Sequence, residues 1–160
     1  ALAACVGSSR FVRARGRWSS DPVFQRFASV GLLAGVAWFV VGVSLATGLL
    51  VRYGATAEAW STAIVAAPLA VGWIVQVLMA SWTHLLPSVG PGTPVQHGHQ
   101  RAILGRVATP RLLALNGGVV LLAIGWPMGL AVPAAAGTVL VAAAVVGSVA
   151  LAVEALRAAR

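Results

Sequence analysis

Three histidines are the side chains in this sequence best suited to binding a metal ion. His97 and His99 flank Gly98, and His84 lies upstream near the end of an apolar run. Imidazole nitrogens bind copper, zinc and haem iron. However, no cysteine or carboxylate stands near them to complete a ligand set. His84, His97 and His99 are therefore candidate metal ligands, with haem or copper as the cofactor, and the simpler interpretation makes them exposed loop and helix-end residues.

A second candidate site is a polar helix face that ends at His84. Trp73 is followed by Gln76, Ala80 and His84 at offsets of three, seven and eleven residues, which predicts one shared helical face. An amide in hydrocarbon needs a hydrogen-bond partner. The simpler interpretation is a hydrogen bond between helices. The alternative is a ligand-facing surface formed by Trp73, Gln76 and His84.

Arg101 extends this candidate site into the following loop. Together with His84 and Gln100, it could hold an anionic headgroup or a quinone carbonyl, provided that the loop folds back under the helix. Arginine supplies fixed hydrogen-bond donors, and histidine supplies a proton that titrates near neutral pH.

Catalytic arrangements are not evident in this chain. The sequence contains only three acidic residues, Asp21, Glu58 and Glu154, and it has no paired carboxylates, phosphate-binding loop, dinucleotide fingerprint or Ser/His/Asp motif. We therefore expect that this chain alone is not catalytic.

The composition indicates a protein whose main solvent is lipid. Charged residues make up 9% of the chain and apolar residues 59%, whereas soluble domains have about 25% charged residues. The net charge of +8 comes from arginines between apolar runs. This pattern is typical of loops that face anionic lipid, so no nucleic-acid partner is expected.

The hydrophobic pattern predicts a single membrane domain over residues 1–160, an all-α polytopic transmembrane bundle. Four full spans are expected, and residues 1–6 read as the end of a truncated fifth. The spans cover residues 28–50, 59–86, 111–131 and 133–151, with cytoplasmic loops at 7–27 and 87–110. Gly31, Gly35 and Gly42 favour close approach of a neighbouring helix, and Pro68 should kink the second span.

Some local features of the later chain are also predicted. Residues 100–107 could form one or two helical turns on the membrane surface, with arginines toward headgroups and Ile103 and Leu104 toward lipid or protein. Thr109 and Pro110 are typical of a helix cap and first turn. Glu154 and Arg157 are spaced to form an ion pair.

The arginines predict the orientation of the bundle. Ten of the eleven lie before the first span, in the histidine-containing loop or at the C-terminus, and Arg52 alone lies on the other side. Arginine-rich loops remain in the cytoplasm. The pattern thus predicts a multi-pass protein of the plasma (inner) membrane, with its histidine-containing loop and C-terminus cytoplasmic.

One stretch resembles a known group of proteins. The run WTHLLPSVGPGTPVQHGHQRAILGR, followed by LLALNGG and GWP, resembles the membrane region of actinobacterial fusion proteins with copper-containing nitrite reductase or multicopper oxidase domains. The resemblance covers about residues 73–128. It implies a membrane module beside a soluble redox domain. The copper ligands of those proteins lie in their soluble domains, so none corresponds to a residue of this chain.

Several functional hypotheses follow from these observations. The leading one is an integral membrane module that anchors, or couples electronically to, the soluble domain of a copper-oxidase-like or nitrite-reductase-like protein. Its partners would be the lipid bilayer and either other membrane helices or that domain. A small-solute transporter is the alternative, suggested by Pro68, Gly72, Gln76 and Asn116. A further alternative is a structural membrane subunit.

Overall fold

Helices make up the described part of the chain. The computed structural model describes residues 26–55, 62–90 and 92–158, and these ranges contain no strand. The helices are α1 (Arg26–Tyr53), α2 (Thr62–Val89), α3 (Pro94–Gly105), α4 (Ala108–Met128) and α5 (Ala131–Arg157). All except α3 are long and apolar enough to cross a membrane. The predicted all-α bundle with four spans is confirmed, while the predicted helix end at residues 1–6 and most of the first loop lie outside the described ranges.

Helices α1 and α2 pack against each other through the glycines of α1. A Cβ atom on Gly31 would lie 3.0 Å from Ala80 Cβ, and one on Gly35 would lie 2.6 Å from Val77 Cγ2. Farther along α1, a Cβ on Gly42 would overlap the side chain of Leu69. The predicted close approach at these glycines is confirmed. The order of the contacts also shows that α1 and α2 are antiparallel.

A π-helical segment, Ala67–Val75, interrupts the regular hydrogen bonding of α2. Pro68 stands at its start and cannot donate a backbone hydrogen bond, so a wider turn accommodates it. Gly72 lies within the segment, where a Cβ would be only 2.5 Å from Trp38 Cγ. Regular α-helix resumes at Gln76 and continues through Pro87 to Val89, beyond the predicted end of the span at residue 86.

Helices α4 and α5 form an antiparallel pair with backbone-to-backbone contacts. A Cβ on Gly118 would lie 2.9 Å from Gly137 O, and one on Gly125 would lie 2.6 Å from Ala134 N. The turn between the two helices is short because Gly129 adopts a left-handed conformation (φ +66°) and caps α4. Small residues therefore allow the backbones of α4 and α5 to approach closely.

Helix α3 begins with a capping box. Thr93 is its N-cap, Pro94 opens its first turn, and the side chain of Gln96 accepts from the backbone N–H of Thr93 at 2.7 Å. The predicted surface helix is therefore longer and starts earlier than residue 100. Ile103 and Leu104 are buried against Ala155 of α5, because α3 packs on protein rather than on lipid.

Helix α4 begins differently from the sequence prediction. Its N-cap is Val107, in the left-handed conformation (φ 45°), and no side chain caps it. Thr109 is already inside the helix, so its prediction as the cap was wrong. Its hydroxyl instead accepts a hydrogen bond from Arg26 of α1. A local motif could not foresee that the turn at Val107 would start the helix one residue before Thr109.

The antiparallel order places five arginines at one end of the bundle. This arginine-rich end consists of the start of α1, the end of α2, α3, the start of α4 and the end of α5, with Arg26, Arg101, Arg106, Arg111 and Arg157. Glu154 pairs there with Arg106 at 2.6 Å. The predicted pair of Glu154 with Arg157 is not the one formed, because α3 brings Arg106 to the carboxylate from another helix.

Candidate functional site

Arg111 is the most deeply buried charged residue in the described part of the chain. Its side chain lies in the first turn of α4 and is only 5% exposed. One terminal nitrogen, Nη1, donates to Ser148 Oγ of α5 at 3.1 Å, and Nη2 donates to the backbone oxygen of Leu104 at 2.6 Å. The guanidinium also lies over the ring of Phe27, with 4.1 Å from Cζ to the centroid. Arg111 thus connects α1, α3, α4 and α5.

Two of these contacts supply a donor to an oxygen atom that has no donor within its own helix. Leu104 belongs to the last turn of α3, where backbone carbonyls have no partner within their own helix. Arg111 supplies that missing donor. Ser148 donates its own proton to Ala144 O at 2.7 Å, so its lone pairs remain free to accept from Arg111. The arginine is consequently part of the packing of this end as well as a source of charge.

A small recess opens beside the same hydroxyl group. Its volume is about 10 Å³, roughly the space that one water molecule needs. The side chains around it come from α2, α3 and α5: Met79, Trp82, Thr83, Leu104, Ser148, Val149 and Ala152. Thr83 donates to Met79 O, which leaves its lone pairs as acceptors. A ring-sized ligand does not fit into this recess.

Two buried glutamines have amide groups without a hydrogen-bond partner. Gln76 in α2 and Gln100 in α3 are both 0% exposed, and neither Nε2 nor Oε1 of either side chain is paired. The predicted hydrogen bond between helices at Gln76 is therefore not formed in the structure. An unpaired buried amide costs about 1–3 kcal/mol. Each of these two glutamines is therefore either a position that binds a ligand or a polar group left without a hydrogen bond in the core.

A separate polar contact joins α1 to α4 near the π-helical segment. Trp38 Nε1 donates to Asn116 Oδ1 at 2.8 Å, and Asn116 Nδ2 donates to Leu112 O. Trp73 packs its ring on Phe39, with 4.5 Å between the centroids. Trp73 therefore makes an aromatic contact with α1, and both polar atoms of the Asn116 amide have a hydrogen-bond partner.

The histidines occupy different environments at the arginine-rich end. His84 and His99 are exposed, while His97 is partly buried with its Nε2 3.2 Å from Gly90 O. Within residues 26–55, 62–90 and 92–158, no three His, Cys, Asp or Glu side chains are grouped for a metal ion. The described residues therefore do not assemble a three-ligand copper site. Metal binding by these histidines stays a prediction without geometric support.

The predicted face of Trp73, Gln76 and His84 is not a single surface. From Gln76 onward the buried positions of α2 are Gln76, Ala80, Thr83 and Pro87, and His84 is exposed. A residue eight positions after Gln76 is rotated by about 80° from it, because each α-helical residue advances about 100°. Trp73 belongs to the π-helical segment, whose wider turn breaks the register that the prediction assumed.

Arg101 and Gln100 are adjacent in α3 but differ in environment. Arg101 is partly exposed, whereas Gln100 faces the bundle with Leu104, four residues later. The loop folds back as helix α3 against the ends of α2 and α5. The candidate site of His84, Gln100 and Arg101 required this arrangement. However, His84 is exposed and Gln100 is sealed, so the structure does not place these groups in one open pocket.

Arg111 was not among the predicted site residues, although the sequence contained a signal of its burial. The buried residues of α4 include Leu115, Val119 and Leu122, which follow Arg111 at offsets of four, eight and eleven. That spacing places Arg111 on the buried face of its helix. Counting Arg111 only as a loop charge concealed this position.

Comparisons with known proteins give no relative. No protein-family model, curated protein or solved structure matches the chain.

Proposed function

We propose that this chain is a membrane anchor module that holds a soluble redox domain of the copper-oxidase or nitrite-reductase kind at the membrane. The main support is the short distance between its packed helices. A Cβ on Gly72 would lie 2.5 Å from Trp38 Cγ, and one on Gly118 would lie 2.7 Å from Val141 Cγ2. Helices this close leave no space between them for a haem or quinone ring at those positions. At these positions the interior serves helix packing, and in this proposal the soluble domain would supply the redox centre.

The resemblance over residues 73–128 supports the choice of partner, and the arginines support the orientation. The arginine-rich end carries five arginines and one acid among the described residues, whereas Arg52 lies at the opposite end. We place the arginine-rich end on the cytoplasmic side of the plasma membrane on this basis. A soluble domain on the outer side would then be joined through a further span.

The anchoring role is tested by membrane extraction together with spectroscopy. We expect the protein to stay in membranes through an alkaline carbonate wash, to dissolve in mild detergent, and to show no haem absorption and no stoichiometric copper. A variant with His84→Ala, His97→Ala and His99→Ala serves as the matched control for metal content. A Soret band or bound copper that the triple variant loses would contradict a purely anchoring role.

A small-solute transporter is the second candidate, and Gln76 is the observation that favours it. An unpaired amide in the middle of a span, directly after a π-helical segment, offers a hydrogen-bonding position to a neutral polar solute. Swelling of proteoliposomes in urea or glycerol gradients measures such a flux. The transporter hypothesis expects Gln76→Leu to abolish the flux and Thr138→Val, a similar change at an exposed position, to preserve it. Absence of flux in the unchanged protein would reject this candidate.

A further inference from the structure

The π-helical segment of α2, Ala67–Val75, ends at a residue with an unpaired buried amide. The backbone N–H of Gln76 closes the last wide turn, because it donates to Val71 O, five residues earlier. The side-chain amide of Gln76 is 0% exposed and has no hydrogen-bond partner at either polar atom. A wide turn inside an α-helix is rare and frequently lies at a functional position. The unpaired amide therefore stands where the backbone of α2 changes from one helical geometry to another.

Asn116 of α4 lies at the same level of the bundle as Gln76. A Cβ on Gly31 of α1 would lie 3.0 Å from Ala80 Cβ and 3.8 Å from Leu112 Cδ2, so α1, α2 and α4 meet there. Gln76 lies one turn from Ala80, on the same face of α2. Asn116 lies one turn from Leu112, on the same face of α4. Both steps lead about 6 Å away from the arginine-rich end, so the two amides face one junction of three helices.

A tryptophan holds the acceptor atom of Asn116 in this conformation. Trp38 Nε1 of α1 donates to Asn116 Oδ1 at 2.8 Å. The indole packs on Gly72 in the π-helical segment, where a Cβ would lie only 2.5 Å from Trp38 Cγ. A residue with a side chain does not fit at that position of α2. The hydrogen bond between Trp38 and Asn116 therefore depends on Gly72 facing α1.

Conversion of the wide turn into an α-helical turn would move Gly72 away from Trp38. Each α-helical residue advances about 100°, so this conversion rotates the residues on the amino side of the turn by about that angle. A neighbour of Gly72 that carries a side chain would then face the indole and overlap it. Trp38 would have to move away, and Asn116 Oδ1 would be free to accept from Gln76 Nε2.

We propose that α2 switches between two conformations at this segment. In the first, which the structure shows, the turn is wide and Trp38 donates to Asn116. In the second, the turn is α-helical and Gln76 donates to Asn116 instead. Pro68 cannot donate a backbone hydrogen bond, so it favours the wide turn. Rearrangement of packed helices between two discrete arrangements is a common basis of switching. This inference does not depend on the proposed anchoring role.

Nuclear magnetic resonance of the indole N–H groups tests the switch directly. The protein is isotope-labelled at its tryptophan nitrogens and studied in detergent micelles, and Trp38→Phe identifies the signal of Trp38. We expect a major signal with the shift of a hydrogen-bonded N–H. A minor signal of up to about 10%, with the shift of an unbonded N–H, should exchange with it.

Two substitutions should enlarge the minor signal several-fold. Pro68→Ala restores an N–H that an α-helical turn uses, and Gly72→Ala places a Cβ against Trp38 in the first conformation. Pro87→Ala, in the regular part of α2, and Gly48→Ala, whose Cβ meets no atom within 4 Å, are the matched controls. Both controls should leave the minor signal unchanged. An equal increase in the controls would show a general loosening of the bundle and would overturn the proposal.

A substitution of Gln76 distinguishes the switch from a merely displaced indole. Gln76→Met keeps the length of the side chain but cannot donate, so it should remove the minor signal, both alone and combined with Gly72→Ala. If the minor signal persists in these variants, Gln76 does not replace Trp38 and the proposal is wrong. A single Trp38 signal without exchange, in the unchanged protein and in Pro68→Ala, would likewise exclude the second conformation.

Discussion

The guanidinium of Arg111 lies over the ring of Phe27, with 4.1 Å between Cζ and the ring centroid. This contact joins the start of α1 to the start of α4. The hydrogen bonds from Arg111 to Ser148 and to Leu104 extend the connection to α5 and α3. One side chain thus links four helices at the arginine-rich end, although it is an arginine within an apolar span.

Removing the contacts of Arg111 should destabilise the bundle, and the effects of substituting Arg111 and Ser148 should not be additive. Hydrogen bonds between membrane helices are worth about 0.6–1.7 kcal/mol, and cation–π contacts contribute about 0.5–2 kcal/mol. We expect Arg111→Gln to lower the free energy of unfolding by about 2 kcal/mol and Ser148→Ala by about 1 kcal/mol. A double-mutant cycle in mixed micelles measures the coupling between the two residues. Additive effects would show that the Arg111–Ser148 hydrogen bond does not stabilise the fold.

Adjacent glycines in α4 should respond oppositely to the same substitution. A Cβ on Gly118 would lie within 3 Å of Val141 and of Gly137 O, so Gly118→Ala should separate α4 from α5 and cost about 2 kcal/mol. No atom lies within 4 Å of a Cβ on Gly117, so Gly117→Ala should be neutral or stabilise by up to about 1 kcal/mol. Thermal unfolding of both variants in detergent provides the comparison. Similar losses in both would contradict the packing of α4 on α5.

The amides of Gln76 and Asn116 should also differ in the sign of their contribution to stability. Gln76 is buried without a partner, so Gln76→Leu should raise the free energy of unfolding by about 1 kcal/mol. Asn116 accepts from Trp38 Nε1, so Asn116→Leu leaves a partly buried indole N–H unpaired and should lower the free energy of unfolding by about 1 kcal/mol. Equilibrium unfolding measures both changes. A loss of stability in Gln76→Leu would mean that a partner satisfies this amide.

The sequence determined the spans far better than the site. Hydropathy identified all four long helices because apolar runs of this length have one stable arrangement in lipid. The glycines at positions 31, 35 and 42 predicted the close approach of a neighbouring helix, and the structure shows that this helix is α2. The helix at Pro94–Gly105 was predicted only in part, since its stability depends on burying Ile103 and Leu104 against α5.

The site depended on contacts that no local pattern contains. The π-helical segment at Ala67–Val75 takes Trp73 out of the regular register of α2, and His84 lies about 80° around the helix from Gln76, so the three side chains do not share one face. Arg106 rather than Arg157 pairs with Glu154 because α3 folds back onto the end of α5. The role of Arg111 required knowing that three other helices converge on the first turn of α4.

Cysteine labelling in intact cells is the most direct test of the four-span bundle and of the proposed cytoplasmic position of its arginine-rich end. Single cysteines are placed at Ser88, near the end of α2, and at Leu130, in the opposite turn, with Cys5→Ser as background. We expect an impermeant maleimide to label Leu130→Cys in intact cells and Ser88→Cys only after the membrane is opened. Labelling of Ser88→Cys in intact cells, or of both positions from the same side, would contradict the account.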